Sequence, residues 1–176
     1  AVAAETEEIA RRALELIEVE YEDLPGVFTP ESGAKEGAPL VHDNFPGNKS
    51  LQFEFKHGDL AAAEAASDFV VDSVFRPHHV THCCMGTSCA IADFDTNGKL
   101  TIWTQTQYPY NYKMDLAPAL GIDPGDIRVI QPPVGGAFGS KLDVYPYEPI
   151  AALLARKTGR PVKVIYSREE EFKAAP

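Results

Sequence analysis

Residues 88–106 read Ser88-Cys89-Ala90-Ile91-Ala92-Asp93-Phe94-Asp95-Thr96-Asn97-Gly98-Lys99-Leu100-Thr101-Ile102-Trp103-Thr104-Gln105-Thr106. Two strand-like runs, 88–94 and 100–106, flank a short polar stretch that contains Asn97-Gly98. Asn and Gly both tolerate positive φ, so this pair between apolar runs is a strong hairpin signal. An antiparallel pair is predicted. Downstream come a helical segment over 111–120, a strand at 127–130, a Gly-rich loop, a helix near 147–157 and a strand at 162–166. A hairpin joined to helices and further strands predicts an α+β or α/β lobe.

Upstream, Ile9, Ala13 and Ile17 recur at helical spacing behind acidic residues, which predicts an amphipathic helix over 6–17. It passes without a Gly break into residues 17–22, where apolar and acidic residues alternate as on a half-buried strand. Residues 25–50 are dense in Pro and Gly and read as a linker. Residues 51–55 alternate again, 59–66 is a short Ala-rich helix candidate, and 69–75 returns to strand. Ser167 followed by Glu170 has the spacing of a capping box, which marks Glu169-Glu170-Glu171 as a helix start rather than catalytic acid. Arg76 and Lys113 receive no partner from the sequence.

Composition narrows the function classes. The chain has 176 residues, 44% hydrophobic and 24% charged, enough for one ordinary domain or two small lobes with a core. A net charge of -10 argues against a nucleic-acid backbone or an anionic membrane as partner. The longest uncharged stretches, such as residues 129–140, are broken by Gly and Pro and fall far short of a membrane span. The first residues include no initiator Met, basic n-region or apolar h-region, so a secretory signal is not expected and the chain reads as starting mid-protein. Its 3 cysteines are too few and too clustered for a disulfide framework, which fits a reducing, cytoplasmic compartment.

Three stretches carry chemistry-bearing residues. The loop Val134-Gly135-Gly136-Ala137-Phe138-Gly139-Ser140-Lys141 lies between a strand and a helix, where backbone N–H groups can converge on an anion. It is neither a Walker motif nor a dinucleotide fingerprint. A tight turn that lets strand and helix pack closely is the plain alternative, and a phosphate or nucleotide site is another. In residues 103–109, alternation places Gln105 and Gln107 on one face. Each amide offers a donor and an acceptor, suited to orienting an oxo group or a carbonyl; a solvent-facing polar strand edge is equally compatible. His78, His79 and His82 with Cys83, Cys84 and Cys89 hold soft metal ligands, but not in the paired spacing of zinc sites, and adjacent cysteines on a strand point to opposite faces. Buried thiols packed as small hydrophobes are the expected reading, and no metal ligand is assigned.

Taken together, these segments resemble the molybdenum-cofactor subunit of the molybdenum hydroxylases, the xanthine dehydrogenase and aldehyde oxidoreductase family. Residues 100–107 are similar to the family's strand ending in Ser-Thr-Gln. They are followed in register by Leu116-Ala117-Pro118-Ala119-Leu120-Gly121, by Ile127-Arg128-Val129-Ile130, and by the loop at 134–141, similar to Gly-Gly-Gly-Phe-Gly-Gly-Lys. Gly159-Arg160-Pro161-Val162-Lys163 and Ser167-Arg168-Glu169-Glu170 complete the order. Residues 1–24 resemble the helix and strand that close the small hammerhead-like domain preceding the cofactor region.

The resemblance implies an α+β chain: the end of a hammerhead-like α/β domain over 1–30, a linker over 31–50, and the first part of the molybdopterin-binding domain over 51–176. It implies that Gln107 donates a hydrogen bond to the apical oxo ligand of molybdenum, that Phe138 and Gly139 set backbone against the metal's oxygen ligands, and that Gly136 admits the cofactor without a Cβ clash. Family chemistry is hydroxylation with oxygen from water, on aldehyde, N-heteroaromatic or aromatic acyl substrates. The cofactor is molybdopterin, as the cytosine dinucleotide, with molybdenum. Iron–sulfur and FAD centres are expected on other domains or subunits. The family's catalytic Glu belongs to a C-terminal motif outside these residues, so no catalytic residue is assigned, and activity in isolation is not expected. Met85-Gly86-Thr87 stands where the family usually has Met-Glu-Pro, and Leu142 stands where purine-oxidising members carry a substrate-binding Glu. Xanthine is therefore disfavoured. A non-catalytic assembly module that kept the scaffold is the alternative from another class.

Overall fold

The computed structural model describes residues 1–78 and 80–174. In chain order the elements are α1 (Glu7–Leu14), α2 (Pro30–Gly33), α3 (Leu60–Ala66), β1 (Cys89–Phe94), β2 (Leu100–Thr104), α4 (Pro109–Leu120), β3 (Ile127–Ile130), α5 (Tyr147–Thr158), β4 (Val162–Ile165) and α6 (Arg168–Ala174), with 3-10 turns at Pro46–Asn48 and Pro124–Asp126. They fall into two compact units, Ala1–Glu18 with His78–Pro176, and Val19–Pro77.

The first unit is built on a four-stranded mixed sheet of order β3-β2-β1-β4. The expected hairpin is its centre: β1 and β2 pair antiparallel, with Phe94 opposite Leu100 and Ala92 opposite Ile102. Asp95 organises the connection, because its Oδ1 accepts from both Asn97 N and Lys99 N at 2.9 Å while Gly98 takes φ of +80°. β4 pairs antiparallel with β1, and β3 runs parallel to β2. Period-two alternation sends Ala90, Ala92, Leu100, Ile102 and Thr104 to one buried face. That face packs on α4 and α5 through Tyr112, Leu116, Ala117, Ala151, Ala152 and Ala155. The alanines let α5 approach closely, and each fully buried Leu or Ile contributes roughly 1.5–3 kcal/mol. Pro109 opens α4 at a position where its missing N–H costs nothing. α6 starts with the capping box the sequence predicts: Ser167 Oγ accepts from Glu170 N at 3.2 Å, and Glu170 Oε2 accepts from Ser167 N at 2.7 Å.

Helix α1 is capped by Thr6 and carries no buried residue. The strand predicted at 17–22 does not form: Val19 and Tyr21 are exposed, without a paired neighbour to satisfy their backbone.

In the second unit, Asp59 caps α3 as the Ala-rich segment implies, but residues 51–55 and 69–75 are irregular rather than strands. Phe53, Phe55, Phe69 and Phe75 are all more than four-fifths exposed. The Pro- and Gly-rich stretch is held by local hydrogen bonds. Asn48 gathers it, donating from Nδ2 to Gly33 O and Pro39 O and accepting from Val41 N, and Thr29 closes a capping box with Ser32. Arg76 has a partner after all, an exposed pair with Glu31 at 2.9 Å, worth little in water. In the first unit Lys113 lies 5.2 Å from the ring centroid of Tyr110.

Candidate functional site

Three segments converge at the end of β2: its continuation 105–107, the loop between β3 and α5, and residues 82–88 ahead of β1. Gln107 joins the first two. Its N–H donates to Lys141 O at 2.9 Å, and its Oε1 accepts from Gly139 N at 3.2 Å and Lys141 N at 3.3 Å. Two N–H donors hold the amide oxygen toward the loop, which leaves Nε2 as the side chain's donor. Gln105 shares that face, as alternation predicts, and its Oε1 accepts from Lys141 Nζ at 2.7 Å. Thr106 between them is buried on the other side.

The loop has an unusual backbone. Gly136 and Gly139 take φ of +103° and +107°, and Phe138 between them takes +53°, a conformation that costs a non-glycine residue roughly 1–2 kcal/mol. Positive-φ residues placed among ordinary ones turn successive N–H groups to a common side, the geometry of anion-binding nests. Phe138 itself is 77% exposed. The loop closes underneath through Ser140, whose N and Oγ donate to Ala137 O at 2.9 and 2.7 Å.

Sequence alone assigns no role to the third segment. Gly86 N donates to Gly135 O at 2.9 Å, and a Cβ on Gly135 would fall 2.7 Å from Gly86 Cα. The two glycines permit a backbone-on-backbone contact no larger residue allows. Lys141 Nζ also donates to Gly86 O, at 3.2 Å. His82 stands beside the loop, its Nε2 3.6 Å from where a Gly139 Cβ would lie. α6 fastens this segment: Arg168 donates to Cys84 O and Met85 O at 2.7 and 2.6 Å, and Glu171 accepts from Ser88 N and Oγ at 2.7 and 3.1 Å. The glycines at 86 and 135 are the sequence signal for this contact.

The cysteines divide. Cys84 is buried against Ala137 O and Ser140 Oγ, both 3.5 Å away, as a small hydrophobe. Cys83, expected to be buried, is exposed at φ of +48°, because the backbone here is irregular and not a strand. Cys89 is half-buried, and burial pushes its thiol pKa up. His79 lies outside the described residues. Among the described residues, no three His, Cys, Asp or Glu side chains come together to hold a metal ion.

Beneath β2 lies a second polar centre. Glu148 is 2% exposed, and accepts from Thr104 Oγ1 at 2.5 Å and from Tyr145 N at 2.8 Å. Burial pushes its carboxyl above the ordinary range, against the pull of those hydrogen bonds. Burial also raises the phenols of Tyr112 and Tyr147 beside it.

Comparison with known proteins agrees with this architecture. Residues 41–176 match the molybdopterin cofactor-binding domain family. The chain is 38% identical over 174 residues to a probable xanthine dehydrogenase subunit of Bacillus subtilis, covering 99% of this chain and 23% of that protein. It is 35% identical over 169 residues to the nicotinate dehydrogenase large molybdopterin subunit of Eubacterium barkeri, covering 96% of this chain and 39% of that one. The chain thus spans well under half the length of these relatives. Quinoline 2-oxidoreductase from Pseudomonas putida 86 superimposes with a TM-score of 0.84 at 38% identity, covering 96% of this chain and 22% of that structure. With the mixed sheet, the convergent loop and a family match over most of its length in agreement, this chain belongs to the molybdopterin cofactor-binding domain family.

Proposed function

We propose that the chain is part of a molybdenum-dependent hydroxylase and contributes contacts to its molybdopterin cofactor. The observation that carries this reading is the hydrogen bond from Gly139 N to Gln107 Oε1, which joins an amide at a strand's end to a glycine loop with twisted backbone. The donor set fits the group: Gln107 Nε2 and main-chain N–H groups are uncharged donors suited to an oxo-anionic centre, and the Gly86–Gly135 approach leaves no side chain between the segments. Gln107, Gly136, Phe138 and Gly139 are the residues that would hold the cofactor's metal end. When bound, the cofactor supplies the redox centre at which a substrate carbon is oxidised. This chain's residues orient it; the general base is supplied by another part of the enzyme.

Substrates of this reading are aldehydes, N-heteroaromatic or aromatic acyl compounds, with Leu142, 44% exposed behind Lys141, offering no carboxylate to a purine. Residues 1–30 would close a hammerhead-like domain, 31–50 would link it, and 51–176 would open the cofactor domain. The remainder of the molybdopterin subunit, together with iron–sulfur and flavin subunits in the cytoplasm, would complete the enzyme. The cofactor form would be the cytosine dinucleotide. The exposed phenylalanines at 28, 53, 55, 69 and 75 support a need for further covering segments. No helix among the described residues is long and apolar enough to cross a membrane.

Metal analysis of the intact complex tests the proposal. Molybdenum in stoichiometric amount is expected, with turnover lost in Gln107→Ala and the fold retained. A complex without molybdenum, or full turnover in the variant, would favour a scaffold that has lost its chemistry.

A further inference from the structure

Lys141 is 2% exposed, yet among the described residues no carboxylate lies within 4.0 Å of its ammonium. Two of its N–H bonds go to neutral oxygens, Gln105 Oε1 at 2.7 Å and Gly86 O at 3.2 Å. Removing an ammonium from water is costly unless an opposite charge answers it, and carbonyl dipoles answer only part. The charge is felt nearby: it opposes the upward push of burial on the Cys89 thiol. The same residue's main chain is bonded twice to Gln107, through Lys141 N to Oε1 and through Lys141 O to Gln107 N. Lys141 therefore ties all three segments of the site together and places an unanswered positive charge beneath them.

We infer that Lys141 is a positioning residue whose buried charge balances the negative charge of the cofactor's oxo-anionic end. The inference rests on the molybdenum reading above. The side chain fixes the Gln105 amide and Gly86, the main chain fixes Gln107, and the charge supplies a standing positive potential behind the uncharged donors of Gln107 and the loop. A structural tie alone would need only hydrogen bonds. An electrostatic one needs the charge, and it favours the more electron-rich, reduced state of a metal centre in its field.

The test uses the intact enzyme complex with Lys141→Gln, which keeps a donor and drops the charge, and Lys141→Arg, which keeps the charge. Three quantities are read: molybdenum and pterin content, the molybdenum midpoint potential by titration followed with electron paramagnetic resonance, and thermal unfolding of the cofactor-free complex. K141Q is expected to unfold near the wild-type temperature, to retain several-fold less molybdenum, and to titrate at a lower potential. K141R restores content and potential. K141Q with wild-type content and potential overturns the inference, whatever its stability. Where K141Q does not fold, Lys141→Met takes its place with the same reading, and insolubility of every neutral variant overturns the electrostatic role in favour of a structural one. A wild-type complex devoid of molybdenum fails earlier and overturns the proposed function itself, so the two failures are distinguishable.

Discussion

The N–H of Gly139 donates to Oε1 of Gln107 across 3.2 Å, although 32 residues separate them in sequence. That bond, seconded by Lys141 N at 3.3 Å, decides which way the amide faces. Both partners are donors, so the oxygen must turn to the loop and the Nε2 group away from it.

The first prediction concerns that orientation. Gln107→Glu keeps the shape and both acceptor bonds but has no donor to offer, whereas Gln107→Ala loses both. Because the side chain is exposed, either change is expected to alter stability by about 1 kcal/mol or less. Turnover of the intact enzyme should fall by roughly 10²-fold in both. Denaturant unfolding beside steady-state kinetics checks this; a normally active Gln107→Glu enzyme would mean that the donor is idle.

Gly135→Ala should damage the site from below. Its Cβ would meet Gly86 Cα at 2.7 Å, backbone against backbone, so the segments must part at a cost of roughly 1–3 kcal/mol. Gly98→Ala is the control. It sits in open space at φ of +80° and should cost about 1 kcal/mol through backbone strain alone, leaving the site untouched. Cofactor content of the two variants separates them: G135A depleted, G98A full.

The fastening by α6 yields a third expectation. Glu171→Ala strands the amide and hydroxyl of Ser88, a residue 3% exposed, and should cost about 1–3 kcal/mol. Ser88→Ala leaves the amide bonded and should cost less. Unfolding midpoints in that order support the clamp; equal midpoints would show that Ser88 N is served by something else.

How far the sequence could be read follows from the range of the interactions. The hairpin was legible because Asn97-Gly98 and the alternation around it are local. The alternation at 51–55 and the β-branched and aromatic run at 69–75 misled: they record apolar side chains in need of cover, but a strand also needs a hydrogen-bonded neighbour, which those residues do not have here. Gln105 and Gln107 were found on one face from period two alone. The ties of Lys141 to Gln105 and Gly86 were not, because they span 36 and 55 residues, and Gly86 takes part through its main chain, which carries no side-chain signature. Cys83 escaped the reading for a related reason: its segment is irregular with a positive φ rather than a strand, so strand alternation says nothing of its burial.

Glu148 should leave a mark on the pH dependence of stability. Its carboxyl is held above the ordinary value of 4.5 by burial, so the folded state binds the proton more tightly than the unfolded chain. The stability this contributes is present below that value and is lost as pH rises through the folded pKa. Glu148→Gln removes the titration. The stability of wild type relative to E148Q should therefore decline as pH rises above the ordinary value of 4.5. A difference that stays flat, or grows with pH, would mean that the hydrogen bonds from Thr104 and Tyr145 outweigh burial.

A crystal structure of the intact, cofactor-loaded complex bears most directly on the whole account. It should place Nε2 of Gln107 within about 3 Å of an oxygen on the molybdenum centre, with the 136–139 loop against the same group. A cofactor bound elsewhere, with Nε2 more than about 5 Å from any of its atoms, well beyond hydrogen-bond reach, would contradict it.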